Sequence, residues 1–233
     1  VRRQLFFSMT ASSTSTKVNP RDVLFDVLLF GIASKEWLSS VHFQKIGLTD
    51  PWVICVGSIE FLSKKKQPLK IVDFCTGSGC ILLSIAKQFP NHEYIGIDQS
   101  ELAIKTAKKN KDLLLLKNVE FFHEDIFQYN KPKADLLLCN PPYLAAQEID
   151  SLEDSVREND PLTALTDFKD GTSFYKYLIQ NFDNLVRING AMLLEIPFSF
   201  VTNDIISINK NFNSKKSIFY KDLEGKNRVI KIY

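Results

Sequence analysis

The chain has 233 residues, 45% hydrophobic and 24% charged, with nine glycines and nine prolines. That is one full globular domain plus an incomplete part, and it excludes a large multidomain enzyme, a fibrous protein and a disordered one. The formal charge of +2 comes from 29 basic and 27 acidic residues, but Arg2, Arg3, Lys17 and Arg21 lie in the acid-free residues 1–21, so the remaining 25 bases face 27 acids and the body carries −2. A nucleic-acid-binding domain normally shows a net basic field, so no direct nucleic-acid partner is expected.

Residues 1–21 are rich in Ser, Thr and Arg, the composition of an organelle-targeting segment or a basic tail. Residues 22–68 carry a weaker pattern: 22–48 read as irregular to helical, and 51–63 read as a helix opened by Pro51 and closed by the basic turn SKKKQP. From residue 69 the pattern sharpens. LKIVDF (69–74) is a strand, TGSG a turn and CILLSIAKQF a helix. EYIGID (93–98) is the next strand, ELAIKTAKKN a helix, NVEFF (118–122) a short strand and ADLLLC (134–139) a buried one. A helix over 172–186, a strand GAMLLEI (190–196) and a helix over 199–211 follow. The strands KSIFY and RVIKIY, joined by KDLEGKN, close the chain as a hairpin. Strands alternating with helices predict a mostly parallel α/β sheet with helices on both faces, and the hairpin makes one strand antiparallel.

Cys55, Cys75, Cys80 and Cys139 lie in apolar or glycine-rich surroundings without a second pair at zinc-ligand spacing, so reduced thiols and no metal are expected. No apolar run approaches the ~20 residues of a membrane span, so no membrane partner is expected.

In an open α/β sheet a ligand binds beyond the carboxyl ends of the strands. The first such end reads Asp73-Phe74-Cys75-Thr76-Gly77-Ser78-Gly79, where Gly77 and Gly79 let the backbone turn close to a ligand. Asp98 ends the second strand, 19 residues beyond Gly79, the spacing at which a carboxylate accepts hydrogen bonds from ribose hydroxyls. A dinucleotide site would want a third glycine, but that position holds Leu82. Asp73 would repel a pyrophosphate and attract a cationic amino-acid moiety. Both features favour S-adenosyl-L-methionine, with Thr76 in the loop, Asp125 placed for the adenine amino group, and Ile126 and Phe127 beside the ring. His123 reads as a polar loop residue.

The fourth strand ends in Asn140-Pro141-Pro142-Tyr143. This array suits an NH2 group conjugated to a π-system, whose nitrogen is a poor nucleophile. The Asn140 side-chain oxygen and the Pro141 carbonyl each accept one N–H, Pro142 stiffens the array, and Tyr143 offers a flat face for the substrate plane. Positive charge grows on nitrogen as a methyl group moves, and the two acceptors stabilise it. Asn140 borders both cofactor and substrate; Asn140, Pro141 and Tyr143 are the expected catalytic residues.

DFCTGSGC (73–80), EYIGID, NPPY, SVRENDPLTAL (155–165) with Asp170-Gly171, GAMLLEI and KDLEGKNRV (221–229) together resemble the protein-(glutamine-N5) methyltransferases of the HemK/PrmC type. The resemblance covers 69–233, in the right order throughout. It implies a class I S-adenosylmethionine-dependent methyltransferase fold with a seven-stranded sheet and, as substrate, the glutamine of the GGQ motif in a peptide chain release factor. NPPY alone is shared with adenine-N6 DNA and RNA methyltransferases; Asp222, Gly225, Arg228 and DPLTAL single out the glutamine-modifying group.

The chain departs from the family in three places. GIASKEWLSS stands where the family has a Pro-Arg-x-Glu-Thr-Glu segment, Asp160 replaces the acid of a Glu-Pro pair, and Pro197 replaces a glycine. The helical domain that grips the release factor is expected to be largely absent. Residues 144–170 hold eight acids and two bases, and that −6 beside the chemistry argues against a nucleic-acid substrate. A non-catalytic cofactor-binding partner is the third reading. A monomer is expected, in the mitochondrion given the Arg- and Ser-rich start and the family's organellar members, with the cytoplasm as the alternative.

Overall fold

A computed structural model describes residues 52–152, 161–197, 215–222 and 224–233. The basic start (1–21), the 22–48 region and the expected 199–211 helix lie outside the described residues. The elements in chain order are α1 (Trp52–Leu62), β1 (Lys70–Phe74), α2 (Cys80–Gln88), β2 (Glu93–Asp98), α3 (Glu101–Leu113), β3 (Val119–His123), β4 (Ala134–Cys139), α4 (Leu162–Leu165), α5 (Ser173–Gln180), α6 (Phe182–Leu185), β5 (Val186–Glu195), β6 (Ser217–Lys221) and β7 (Asn227–Ile232), with short 3-10 turns at Ile126–Gln128 and Ala146–Ser151.

Among the described residues the strands form one seven-stranded sheet in the order β3-β2-β1-β4-β5-β7-β6. All neighbours from β3 to β5 are parallel, and β7 runs antiparallel to both β5 and β6. The central strands are apolar because both faces are covered. On one face Leu82, Leu83, Ile85, Leu136, Leu138 and Leu193 pack with Val53, Ile54, Phe61 and Leu62 of α1. On the other, Val72, Phe74, Leu137 and Leu194 meet Phe174, Tyr175, Leu178 and Ile179 of α5. Helix α1 is therefore part of the same sheet-bearing unit. It approaches closely enough at Gly57 that an added Cβ would lie 3.0 Å from Leu193.

The expected boundaries agree within a few residues except at 172–186. There the helix stops at Gln180, restarts as the single turn α6, and β5 begins at Val186 rather than Gly190. Asn181 is the cause of the break: its side-chain amide donates to the Tyr177 carbonyl at 2.9 Å, a local bond that competes with the helix ladder. Beyond it the pairing jumps from Ala134↔Val186 to Leu136↔Ala191, so Arg187–Gly190 bulge out of the sheet before the main ladder begins.

Candidate active site

The turn after β1 holds three residues in the left-handed region: Cys75 (φ 55), Gly77 (φ 55) and Gly79 (φ 77). The Thr76 N–H donates to the Ile97 carbonyl at 3.0 Å and the Gly79 N–H to the Thr76 carbonyl at 2.9 Å. The two glycines serve different needs. A Cβ on Gly77 would meet nothing within 4 Å, so its face is open to a ligand, whereas a Cβ on Gly79 would lie 2.8 Å from the Phe121 ring. A residue not anticipated from sequence also holds this turn. Asn110 of α3, 3% exposed, donates its amide to the Ser78 carbonyl at 3.0 Å. Its signal was a polar residue on the buried stripe of an amphipathic helix.

Asp73 and Thr76 are buried beneath this turn, and the Thr76 hydroxyl donates to Asp73 at 2.6 Å. Thr76 thus shapes the turn through Asp73 rather than offering its hydroxyl outward, as a cofactor ligand would. Burial pushes the Asp73 carboxyl up to about 7, with the Thr76 hydrogen bond opposing and the Asp98 charge adding to the rise. An unfolded aspartate titrates near 3.9, so the folded chain binds the extra proton between those values. The contribution to stability is full below about 4 and is lost as pH rises through 7. Asp73→Asn is therefore expected to raise the thermal stability of the cofactor-free chain at pH 8, by up to about 4 kcal/mol, and to change little at pH 4. Melting curves at the two pH values check this; an equal effect at both would overturn the assignment.

Asp98 accepts from the Gly77 N–H and the Ser100 N–H, both at 2.8 Å and one on each oxygen. This fixes the carboxylate while leaving each oxygen a further lone pair. Asp125 caps the 3-10 turn by accepting the Phe127 N–H at 3.0 Å. Ile126 is only 4% exposed and joins the core, so the exposed apolar surface comes from Phe127, at 43%. Phe127 packs against Phe174 and Tyr177 at ring-centroid distances of 5.2 and 4.9 Å. His123, expected in a loop, is instead the last residue of β3, where it pairs with Asp98 and meets the Gln99 carbonyl at 2.9 Å on the surface.

Asn140 and Tyr143 are half-buried, and Pro141 and Pro142 are buried. The Asn140 side chain makes no hydrogen bond to any described residue, so its amide is available to a ligand. What holds the motif is a strap supplied by 165–173. The Leu144 N–H donates to the Leu165 carbonyl and the Ala146 N–H to the Lys169 carbonyl, both at 2.9 Å. Asp167 gathers the strap's own turn by accepting from the Lys169, Gly171 and Ser173 N–H groups at 2.8–3.0 Å. Burial alone would raise its pKa, but these bonds outweigh it and hold the carboxylate below its usual range. Gly171 (φ 75) seats the strap, since a Cβ there would fall 2.2 Å from the Tyr143 carbonyl oxygen. The Asp170-Gly171 pair thus acts by close backbone approach to Tyr143, while the Asp170 carboxylate binds Thr172 and Lys176.

Register brings these parts into line. Phe74 pairs with Ile97 on one side and Cys139 on the other, and Asp98 pairs with His123. One position further on, Asp98, Cys75 and Asn140 therefore form a row across the carboxyl edge of the sheet. Glu195 of β5 continues it, because Cys139 pairs with Leu194. With strands ~4.8 Å apart, Asp98 and Asn140 stand roughly 10 Å from each other, the span of a nucleoside bearing a short side chain. The row crosses the β1/β4 switch point, where the sheet order reverses. Beneath it Cys139 is raised well above its usual value by burial, with Cys75 contributing as a partner, and all four described cysteines are free thiols.

Residues 65–220 match the methyltransferase-domain family. The chain belongs to that family. Among curated methyltransferases, it is 38% identical over 165 residues to the release factor glutamine methyltransferase of Thermodesulfovibrio yellowstonii, covering 69% of this chain and 58% of that protein. It is 32% identical over 183 residues to the enzyme of the same name from Fusobacterium nucleatum, covering 78% and 51%. The chain thus spans a little over half the length of these relatives. Among solved structures, it superimposes on a class I S-adenosylmethionine-dependent methyltransferase, described as putative, from Listeria monocytogenes. The TM-score is 0.58, with 15% identity over 93% of this chain and 68% of that one. The sheet order and the antiparallel β7 give the chain a class I methyltransferase fold.

Proposed function

We propose that the chain transfers a methyl group from S-adenosylmethionine to the N5 atom of the glutamine in the GGQ motif of a peptide chain release factor. The observation that carries this is the available Asn140 amide, set in one row with the immobilised Asp98. S-adenosylmethionine would supply an electrophilic methyl on a sulfonium. Asp98 has lone pairs left for the ribose hydroxyls, Asp125 faces the adenine side, and the open face of Gly77 admits the methionyl part. A cation arriving beside Asp73 would lower its pKa and recover the carboxylate charge.

At the other end of the row, the Asn140 side-chain oxygen and the Pro141 carbonyl would accept the two amide N–H groups of the substrate. Holding both hydrogens aligns the nitrogen with the methyl and stabilises the positive charge that develops on it. The methylated nitrogen is acidic enough to release its proton to water, so no strong base is needed. Tyr143, held by the strap through Gly171, lines the substrate plane. The acidic 144–170 segment suits a basic protein partner.

The decisive assay combines the purified chain, a release factor and labelled methyl donor. Label on the GGQ glutamine is expected. Label on duplex DNA or RNA instead would favour the adenine-N6 reading, which NPPY also allows. Calorimetric binding of S-adenosylmethionine with no turnover would favour a non-catalytic partner. The basic, acid-free residues 1–21 support a mitochondrial destination within the same proposal.

A further inference from the structure

The edge of the sheet opposite the active site has the reverse charge. Here lie the amino ends of the parallel strands and the end of β7, and a cavity of about 700 Å³ opens between them. It adjoins a second, of about 480 Å³, through the shared Lys65. Together they are lined by Lys65, Lys66, Lys133, Arg187, Lys215 and Lys231, with Asp183 as the one carboxylate among the described lining residues.

The cations follow the sheet order. Lys65 and Lys66 precede β1, Lys133 precedes β4, Arg187 lies at the start of β5, Lys231 is near the end of β7, and Lys215 precedes β6. These five strands are consecutive neighbours, so the cations are spread along one edge of a sheet that is roughly 20 Å wide there.

Part of this charge is already balanced. Lys215 pairs with Asp183 at 2.5 Å and Arg187 with Asp135 at 3.2 Å, while Glu60 pairs with Lys64 at 2.9 Å. Those three carboxylates face seven cations, and the edge keeps a surplus of positive charge. Lys231 feels it: burial lowers its pKa, Glu60 opposes, and Lys64 and Lys65 lower it further. Rings interleave with the cations. Phe89 stacks on His92 at 6.2 Å, and Tyr233 is 43% exposed beside Lys231.

We infer that this amino edge is a binding groove for the phosphate backbone of single-stranded RNA. A row of cations along one edge suits a backbone with a regular run of phosphates, and the exposed Tyr233 ring beside Lys231 offers a stacking surface to a base. An acidic peptide offers carboxylates to the same lysines but no flat bases for the exposed Tyr233 ring, so RNA uses both features of the edge and polyglutamate is the competitor that separates the two. The groove is separate from the chemistry: Glu148, Asp150, Asp167 and Asp170 follow the NPPY motif at the opposite edge and repel RNA there, so bound RNA is a tether and not a methyl acceptor. The inference does not depend on the proposed activity.

The test is fluorescence anisotropy of a labelled, mixed-sequence RNA 20-mer with the full chain, titrated between 50 and 300 mM KCl. The triple variant Lys65→Gln, Lys66→Gln, Lys133→Gln is expected to bind at least tenfold more weakly. The slope of log affinity against log salt should fall by about 2, at ~0.7 per lost phosphate contact on a single strand. The control Lys105→Gln, Lys108→Gln, Lys109→Gln, with the same charge change on α3, should stay within twofold of the parent. Equal losses in both variants, no RNA binding at 50 mM KCl, or displacement of RNA by polyglutamate at matched charge would each overturn the inference.

Discussion

Asn140→Ala is expected to lower methyl transfer to a GGQ-bearing release factor by about 10²–10³-fold while leaving S-adenosylmethionine affinity within a few-fold. The magnitude follows from removing one preorganised electrostatic partner of the reacting group, which costs about 3–4 kcal/mol in comparable sites. The separation of effects follows from geometry. The cofactor side of the row rests on Asp98 and the Gly77 turn, which are tied to each other and to β2 rather than to Asn140. Fold stability should hardly change, because the Asn140 side chain has no described hydrogen bond to lose. Single-turnover kinetics with calorimetry of the cofactor check this. A variant that still methylates the glutamine at the parent rate would remove Asn140 from the chemistry.

The second large effect is on stability. Asp222 and Arg228 form an ion pair at 2.7 Å with side chains only 8% and 9% exposed, and Asp222 also accepts the Glu224 and Lys226 N–H groups, both at 2.9 Å. Together with Gly225 at φ 82, this closes the β6–β7 hairpin. Asp222→Ala removes a carboxylate partner of the buried guanidinium and the acceptor of two backbone N–H groups, and is expected to cost about 3 kcal/mol, lowering the melting temperature by roughly 10 °C. Breaking the exposed Lys64–Glu60 pair by Lys64→Ala should cost under about 1 kcal/mol.

Burial by itself would raise the Asp222 pKa, but the Arg228 and backbone hydrogen bonds hold it below the usual value. Its stabilisation is therefore present above about pH 4 and lost as pH falls through the folded-state pKa. Thermal melts at pH 7 and pH 3 measure both effects; a variant melting within 2 °C of the parent at pH 7 would show that the pair is dispensable. The hairpin also supports the site. Val229 pairs with Glu195, and the Ile196 N–H donates to the Arg228 carbonyl at 2.8 Å, so a loosened hairpin frees the end of β5 beside Asn140.

The strand and helix pattern was legible because it depends on local periodicity and turn chemistry. A fully buried strand such as ADLLLC or a glycine turn such as TGSG carries its own signal. Asp98 and Asn140 were legible for a related reason, since ligands of α/β sheets gather at strand carboxyl ends and those ends could be counted. Less visible were the residues that work at a distance. Asn110 reaches Ser78 across 32 positions, and Asp167 and Gly171 brace Tyr143 from the far side of a strap. Thr76 looked like a cofactor contact and turns inward to Asp73, because a buried carboxylate must find a donor. Ile126 likewise joins the core, leaving Phe127 on the surface.

By itself, the sequence determined the alternation of elements, the glycine turn, and the acidic and amide groups at the strand ends, all of which rest on interactions within a few residues of one another. Only the tertiary structure decided the register that sets Asp98, Cys75, Asn140 and Glu195 in one row, and the strap that seats Tyr143. It also resolved the charge. A body at −2 looked mildly acidic throughout, yet folding carries Glu148, Asp150, Asp167 and Asp170 toward one edge of the sheet and cations from five strands to the other. Parallel strands send all their carboxyl ends one way and all their amino ends the other, so residues far apart in the chain but alike in position within each βα unit share an edge. No summed charge can show that separation.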